Sequence, residues 1–272
     1  MNQAKIPLIL DADDVANLLG GDGIVIVDLS NEAIYESGHI PGAVHIDAAD
    51  LFAARPPVMG LLPPEAAISD LLSAAGIRPD HHVIAYDGEN TLKACRFLWT
   101  LDVIGHRGFS LLNGGLNAWV DAGHPLEDEP AEVTPGDYPV SYDASRIADR
   151  DYILAHLENP DVIVLDARTE LEYNGVDRRA ARGGHIPGAR NLDWARTIIG
   201  GGDLRFRPVD EVRALYFHEN VTSDKEVIVH CQTHMRSCHS FILLKALGFE
   251  RIRGYPGSWS DWGNDPALPV EH

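Results

Sequence analysis

The chain has 272 residues, 45% of them hydrophobic and 23% charged, room for two ordinary domains of normal globular composition. Its 41 acids against 22 Lys plus Arg give a formal charge of −19, which argues against nucleic acid and anionic membrane as partners. A small anionic substrate must then find a local positive pocket against the overall field.

The first ten residues, MNQAKIPLIL, run at once into Asp11, Asp13 and Asp14. They lack a signal-peptide core and cleavage site, so we expect a first strand of a cytoplasmic protein. No window approaches about 18 apolar residues, so no membrane span is expected. The run IVIVD, closing at Asp28, predicts a strand, and GHIPGA follows at 38–43. HVIAYD, closing at Asp87, predicts another strand. CRFLWTLDVIG then reads as a helix ending near Gly105, and LNGGLNAW closes this half at Trp119. The segment from Glu127 to Arg146 is rich in Pro, Asp and Glu without helical period and reads as a linker.

The same five features then recur in the same order. They are VIVLD closing at Asp166, GHIPGA at 184–189, EVIVHC closing at Cys231, CHSFILLKALG ending at Gly248, and YPGSWSDW closing at Trp262. A repeat of roughly 140 residues means a duplicated domain, not a small-unit solenoid. We place a first domain at 1–130, a linker at 131–146 and a second domain at 147–272. Apolar runs of four or five residues suit strands covered on both faces. The expected fold is α/β, two tandem domains, each with a mainly parallel central sheet flanked by helices.

The halves differ at one turn. Asp87 and Cys231 are 144 residues apart, whereas Gly105 and Gly248 are 143 apart. One residue has been lost between DGENTLK and CQTHMRS. Cys231 stands at the carboxyl end of a predicted strand, where parallel sheets bind ligands. The turn opens a helix, whose N-terminal amides favour negative charge, a thiolate included. Amides from Gln232 to Ser237, through Thr233, His234, Met235 and Arg236, are expected to cradle an anion. His234 and Arg236 supply the missing local positive charge. Cys95 and Cys238 occupy matching helical positions and read as packing residues. Cys238 as a resolving thiol is the alternative, but it lies about 10 Å along the helix, too far for a direct disulfide. His230 should face away from Cys231 by strand alternation. Cys231 has no partner at zinc-finger spacing, so no metal site is expected.

These features together resemble the tandem rhodanese-domain sulfurtransferases over essentially the whole chain. The run HCQTHMRS, followed by helix, LGF and YPGSWSDWGN, looks especially like the Azotobacter-type bacterial rhodaneses. The resemblance implies a Cys231 persulfide loaded from thiosulfate and unloaded to cyanide or a thiol acceptor, a protein thiol included, with no cofactor. Asp87, at the cysteine position of the first half, implies a non-catalytic domain. Arg236 and His234 would bind the sulfonate, and Asp166 would support the Cys231 loop. Arg168 is read as either an anion contact or a structural salt bridge, and Trp194 as pocket lining or packing. The resembled run has a second His where this chain has Met235, which bears on donor choice. A monomer is expected.

Two rival activities are weaker. A rhodanese-fold cysteine phosphatase needs a loop one residue longer than the four residues between Cys231 and Arg236. 3-Mercaptopyruvate is the alternative donor, although the loop lacks the Gly-Ser-Gly-Val-Thr pattern typical of enzymes for it. A silent binding module fits the first half but not the second.

Overall fold

The structure, a computed structural model, describes residues 6–272. It divides into two compact units that do not follow the chain strictly. Among the described residues, one comprises 6–51, 63–142 and 201–205, and the other comprises 52–62, 143–200 and 206–272. The expected cut near the linker thus misses two short segments, each of which joins the unit of the opposite half. Residues 1–5, part of the expected first strand, lie outside the described residues; the strand itself is Ile9–Leu10. Among the described residues, no helix is long and apolar enough to cross a membrane.

The first unit holds five parallel strands: β1 (Ile9–Leu10), β2 (Ile24–Asp28), β3 (Val44–His45), β4 (His82–Tyr86) and β5 (Gly108–Leu112). Their spatial order is β1-β5-β4-β2-β3. Helix α1 (Leu92–Val103) follows β4. The second unit repeats the plan with β6 (Val162–Asp166), α2 (Glu170–Tyr173), β7 (Arg190–Asn191), β8 (Glu226–His230), α3 (Arg236–Ala246), β9 (Ile252–Gly254) and α4 (Ser258–Trp262). Its strands run parallel in the order β9-β8-β6-β7. The counterpart of β1 is reduced to a single parallel bridge between Ile147 and Gly254. The central strands are buried because helices cover both faces, which is why β2, β6 and β8 read as continuous apolar runs.

Each GHIPGA box clamps a tail segment of its own unit. His39 and His185 form antiparallel bridges to Glu127 and Glu271. The Gly42 amide donates to the Glu127 carboxylate at 2.6 Å, and the Gly188 amide to Glu271 at 2.9 Å. Both glycines have positive φ, 76° and 73°, so the turn needs a residue without a Cβ. The His rings stack on Tyr35 and Tyr173 with centroids 3.9 and 3.7 Å apart. Trp259 and Trp262 are fully buried in the core of the second unit, with Trp259 Nε1 donating to the Arg182 carbonyl and Trp262 Nε1 to the Pro269 carbonyl.

One core group is unusual. His239 on α3 is fully buried between the rings of Trp194 and Phe206, and neither of its nitrogens has a hydrogen-bond partner among the described residues. Burial pushes its pKa down from 6.5 to about 3. The folded chain keeps the ring neutral while the unfolded chain takes up a proton below about pH 6.5. Stability therefore falls as pH drops from that point toward 3. The loss between pH 7 and pH 5 is about 2 kcal/mol from this group. His239→Leu should flatten the pH dependence of the urea midpoint over that range. An unchanged slope would contradict this assignment.

Candidate active site

Cys231 begins the turn between β8 and α3 and is only 1% exposed. The turn is pinned from two sides. At the start of α4, the Trp259 amide donates to the Cys231 carbonyl and the Ser260 amide to the Gln232 carbonyl, both at 3.0 Å. The Cys231 amide donates to Ser258 Oγ at 3.3 Å. From α3, Cys238 Sγ donates to the His234 carbonyl at 2.8 Å. His234 has φ +57°, an uncommon conformation for a residue with a side chain. Its ring is fully buried, with Nδ1 2.7 Å from Ser237 Oγ. His234 therefore holds the loop in shape. The expected role as a cationic contact for a sulfonate does not fit a ring packed in this way.

The first unit shows what such a turn can hold. Asp87 occupies the place of Cys231 at the end of β4. One carboxylate oxygen accepts from the amides of Glu89, Asn90 and Thr91 at 3.0, 2.9 and 2.8 Å. The other accepts from Lys93 and Ala94 at 3.0 and 3.1 Å. Five backbone amides thus converge on one carboxyl group, whose complete burial raises its pKa against the lowering pull of those amides. Thr91 has φ +63°, the counterpart of His234, so the register is 143 from there on, and the lost residue lies between Asp87 and Thr91. The corresponding donors in the second unit are Gln232, Thr233, His234, Arg236 and Ser237. Among the described residues, the amides of Gln232, Thr233, Arg236 and Ser237 have no protein acceptor. In the first unit these donors are taken by a carboxyl group; in the second the residue that begins the turn is Cys231.

Arg236, at the start of α3, is tied to a residue the sequence reading passed over. Its Nη1 and Nη2 donate to the two carboxylate oxygens of Glu172 at 2.6 and 2.9 Å. Burial pushes the Glu172 carboxyl up, but the hydrogen bonds and charge of Arg236 outweigh it and hold the carboxyl down at about 2. Burial works against the Arg236 charge as well; Glu172 and the charge of Cys231 raise it overall. Arg179 adds a second guanidinium 3.6 Å from Glu172. The signal for Glu172 was in the sequence: Thr169-x-x-Glu172 is a capping box, and both of its reciprocal bonds form. A second overlooked residue is Gly60, where a Cβ would collide with the carbonyls of Thr233 and Pro256.

The other expected residues divide as follows. Gln232 donates its side-chain amide to the Arg179 carbonyl at 3.0 Å. Met235 is the N-cap position of α3, and Met235 and Thr233 are half-buried in the turn. Asp166 does not support the Cys231 loop. It accepts instead from the Arg168 backbone and guanidinium, with Nη2 at 2.6 Å. Arg168 also donates to the Gly184 carbonyl and lies over the Trp259 ring. The expectation for Asp166 fails and the salt-bridge reading of Arg168 holds for one reason: Arg168, two residues along, pairs with a fully buried carboxylate, and neither group has water to neutralise it. Trp194 packs its ring edge-on against His239, 5.2 Å between centroids. His230 is buried with Nδ1 3.3 Å from the Cys231 carbonyl and Nε2 3.7 Å from Asp166.

Comparison with known proteins agrees with this geometry. The rhodanese-like domain family matches twice, over residues 11–122 and 149–265. The chain is 41% identical over 268 residues to a thiosulfate sulfurtransferase of Pseudomonas aeruginosa, and 40% identical over 268 residues to one of Azotobacter vinelandii; each match covers 98% of both chains. Among solved structures, an anaerobic ergothioneine biosynthesis enzyme from Chlorobium limicola shares the fold, with a TM-score of 0.87 at 22% identity over 97% of this chain and 70% of that one. The chain belongs to the rhodanese-like domain family and carries the domain twice.

Proposed function

We propose that the protein is a thiosulfate sulfurtransferase that carries sulfur as a persulfide on Cys231. The observation that carries this reading is the pairing of Cys231 with Asp87. In one unit five amides surround a bound carboxylate; in the other the same turn presents a thiol.

In the first half-reaction the Cys231 thiolate attacks the sulfane sulfur of thiosulfate. A new S–S bond forms, the sulfur–sulfur bond of the donor breaks, and sulfite leaves with the electron pair. The terminal sulfur of the persulfide is anionic and meets the amides of Thr233, Arg236 and Ser237. Fixed dipoles of this kind stabilise charge without reorganising. Arg236, held in place by Glu172, sets the positive field at the turn. In the second half-reaction cyanide or a thiolate attacks the terminal sulfur, and Cys231 leaves as the thiolate. Neither half-reaction needs an outside oxidant or reductant. The first domain is non-catalytic in this scheme, because a carboxylate in its cradle carries no sulfur. We read the protein as a cytoplasmic monomer.

Intact mass after incubation with thiosulfate should rise by one sulfur atom and return on adding cyanide. Cys231→Ala should abolish the gain, while Cys95→Ser and Cys238→Ser retain it. A gain with 3-mercaptopyruvate and none with thiosulfate would replace the donor, and no gain with either would sink the persulfide reading.

Glu172→Gln leaves Arg236 half-buried without its counter-charge. It should cost about 3 kcal/mol of stability and lower kcat/KM for thiosulfate about tenfold. The carboxyl is ionised throughout pH 5–8, so the penalty should be constant over that range. A penalty below about 0.5 kcal/mol, the level of an exposed pair, would show that the ion pair does not fix the loop.

A further inference from the structure

We propose that the turn 171–179, together with Arg190, is the docking face for an acidic protein that presents an acceptor thiol on an extended segment. This rests on the persulfide reading above and names the acceptor for it.

Four observations converge. First, Leu171 and Val176 are 60% and 72% exposed. The turn holds them together, since the Val176 and Asp177 amides both donate to the Leu171 carbonyl at 2.9 Å. Cyanide and small thiols have no use for an exposed apolar pair, whereas protein interfaces are built around such residues.

Second, the same turn is bonded to the active-site loop. Glu172 lies between these two residues in sequence and binds Arg236, and the Arg179 carbonyl accepts from the Gln232 side chain. A partner resting on Leu171 and Val176 is therefore beside the sulfur.

Third, the local charge is the reverse of the global one. Acids outnumber Lys plus Arg by 41 to 22 over the chain, yet residues 178–190, RRAARGGHIPGAR, hold four arginines and no acid. Arg182 is used internally, on the carbonyls of Trp262, Asp265 and Leu268. Arg178, Arg179 and Arg190 are exposed; Arg179 is paired with Asp177 at 3.0 Å and faces Glu172 at 3.6 Å, so the positive rim offered to a partner rests on Arg178 and Arg190. Arg190 follows Ala189, whose carbonyl accepts from the Tyr173 hydroxyl at 2.6 Å, which places it beside the same turn. An apolar pair rimmed by arginines fits an acidic partner, and the −19 body repels that partner elsewhere.

Fourth, Cys231 is 1% exposed. A folded surface cannot bring its thiol to the persulfide, so the acceptor cysteine must sit on a loop or tail that enters the turn. The transfer balances: the acceptor thiolate attacks the terminal persulfide sulfur, an S–S bond forms on the acceptor, and Cys231 leaves as thiolate.

The test loads Cys231 from thiosulfate and, separately, from inorganic polysulfide, with loading confirmed by mass. Unloading is then timed in single turnover with three probes. These are a peptide with one Cys flanked by Leu, Asp and Glu, the same peptide with Lys for the acids, and β-mercaptoethanol. The acidic peptide should unload the persulfide about tenfold faster than the basic one at low ionic strength, and the gap should close at high salt. The combined variant Val176→Asp, Arg178→Glu, Arg190→Glu should slow the acidic peptide about tenfold and leave β-mercaptoethanol within about twofold. Loading followed by equal rates for both peptides overturns this proposal alone, as does a variant that slows all three probes alike. Failure to load from either donor overturns the persulfide reading and this proposal with it.

Discussion

Everything in the second unit that bears on chemistry depends on one constraint. A tight turn between a parallel strand and a helix must point its amides at a single place. Those amides cannot bond within the helix, because they precede its first full turn. They need an anion. In the first unit the chain supplies one itself, the Asp87 carboxylate, and all five donors are satisfied. In the second unit the chain supplies a cysteine at that place, and on the proposed function its charged sulfur is the acceptor. Duplication thus preserved the strand–turn–helix plan, shortened the turn by one residue and changed the residue that begins it.

The surrounding bonds serve this geometry. Holding His234 at positive φ costs conformational energy, and the contacts with Ser237 and Cys238 offset it. The carbonyls that leave the cradle are taken up by the start of α4. Both Glu172 oxygens accept from Arg236, so the cation is fixed at the start of α3 instead of ranging over the surface. The Asp166–Arg168 pair lies behind this layer and ties the end of β6 to Trp259 and to the second GHIPGA box.

Much of this was legible in the sequence because repetition carries it. Two GHIPGA boxes, two Asp-ended strands and two closing Trp segments give the duplicated α/β plan without any structure. The shift from 144 to 143 residues marks the turn where chemistry differs. What was not legible depends on which of several nearby partners a buried charge takes. Asp166 was expected to reach the Cys231 loop, but Arg168 is closer along the chain and as deeply buried. His234 looked like a cation because its residue type is often one; its burial against Ser237 is a tertiary fact. Glu172 was readable only as a helix cap, since nothing local says that a capping carboxylate also binds an arginine 64 positions later. The exchange of residues 52–62 and 201–205 between the units leaves no compositional mark at all.

The central claim is that the loop amides hold the charge on the transferred sulfur. It is tested most directly by the amide NMR spectrum of isotopically labelled protein before and after loading with thiosulfate. The account predicts that the amide protons of Thr233, His234, Arg236 and Ser237 move downfield together on loading and return on adding cyanide, while Glu89 through Ala94 stay put. A loaded protein whose 233–237 amides do not move would contradict it, because the sulfur would then sit outside the cradle.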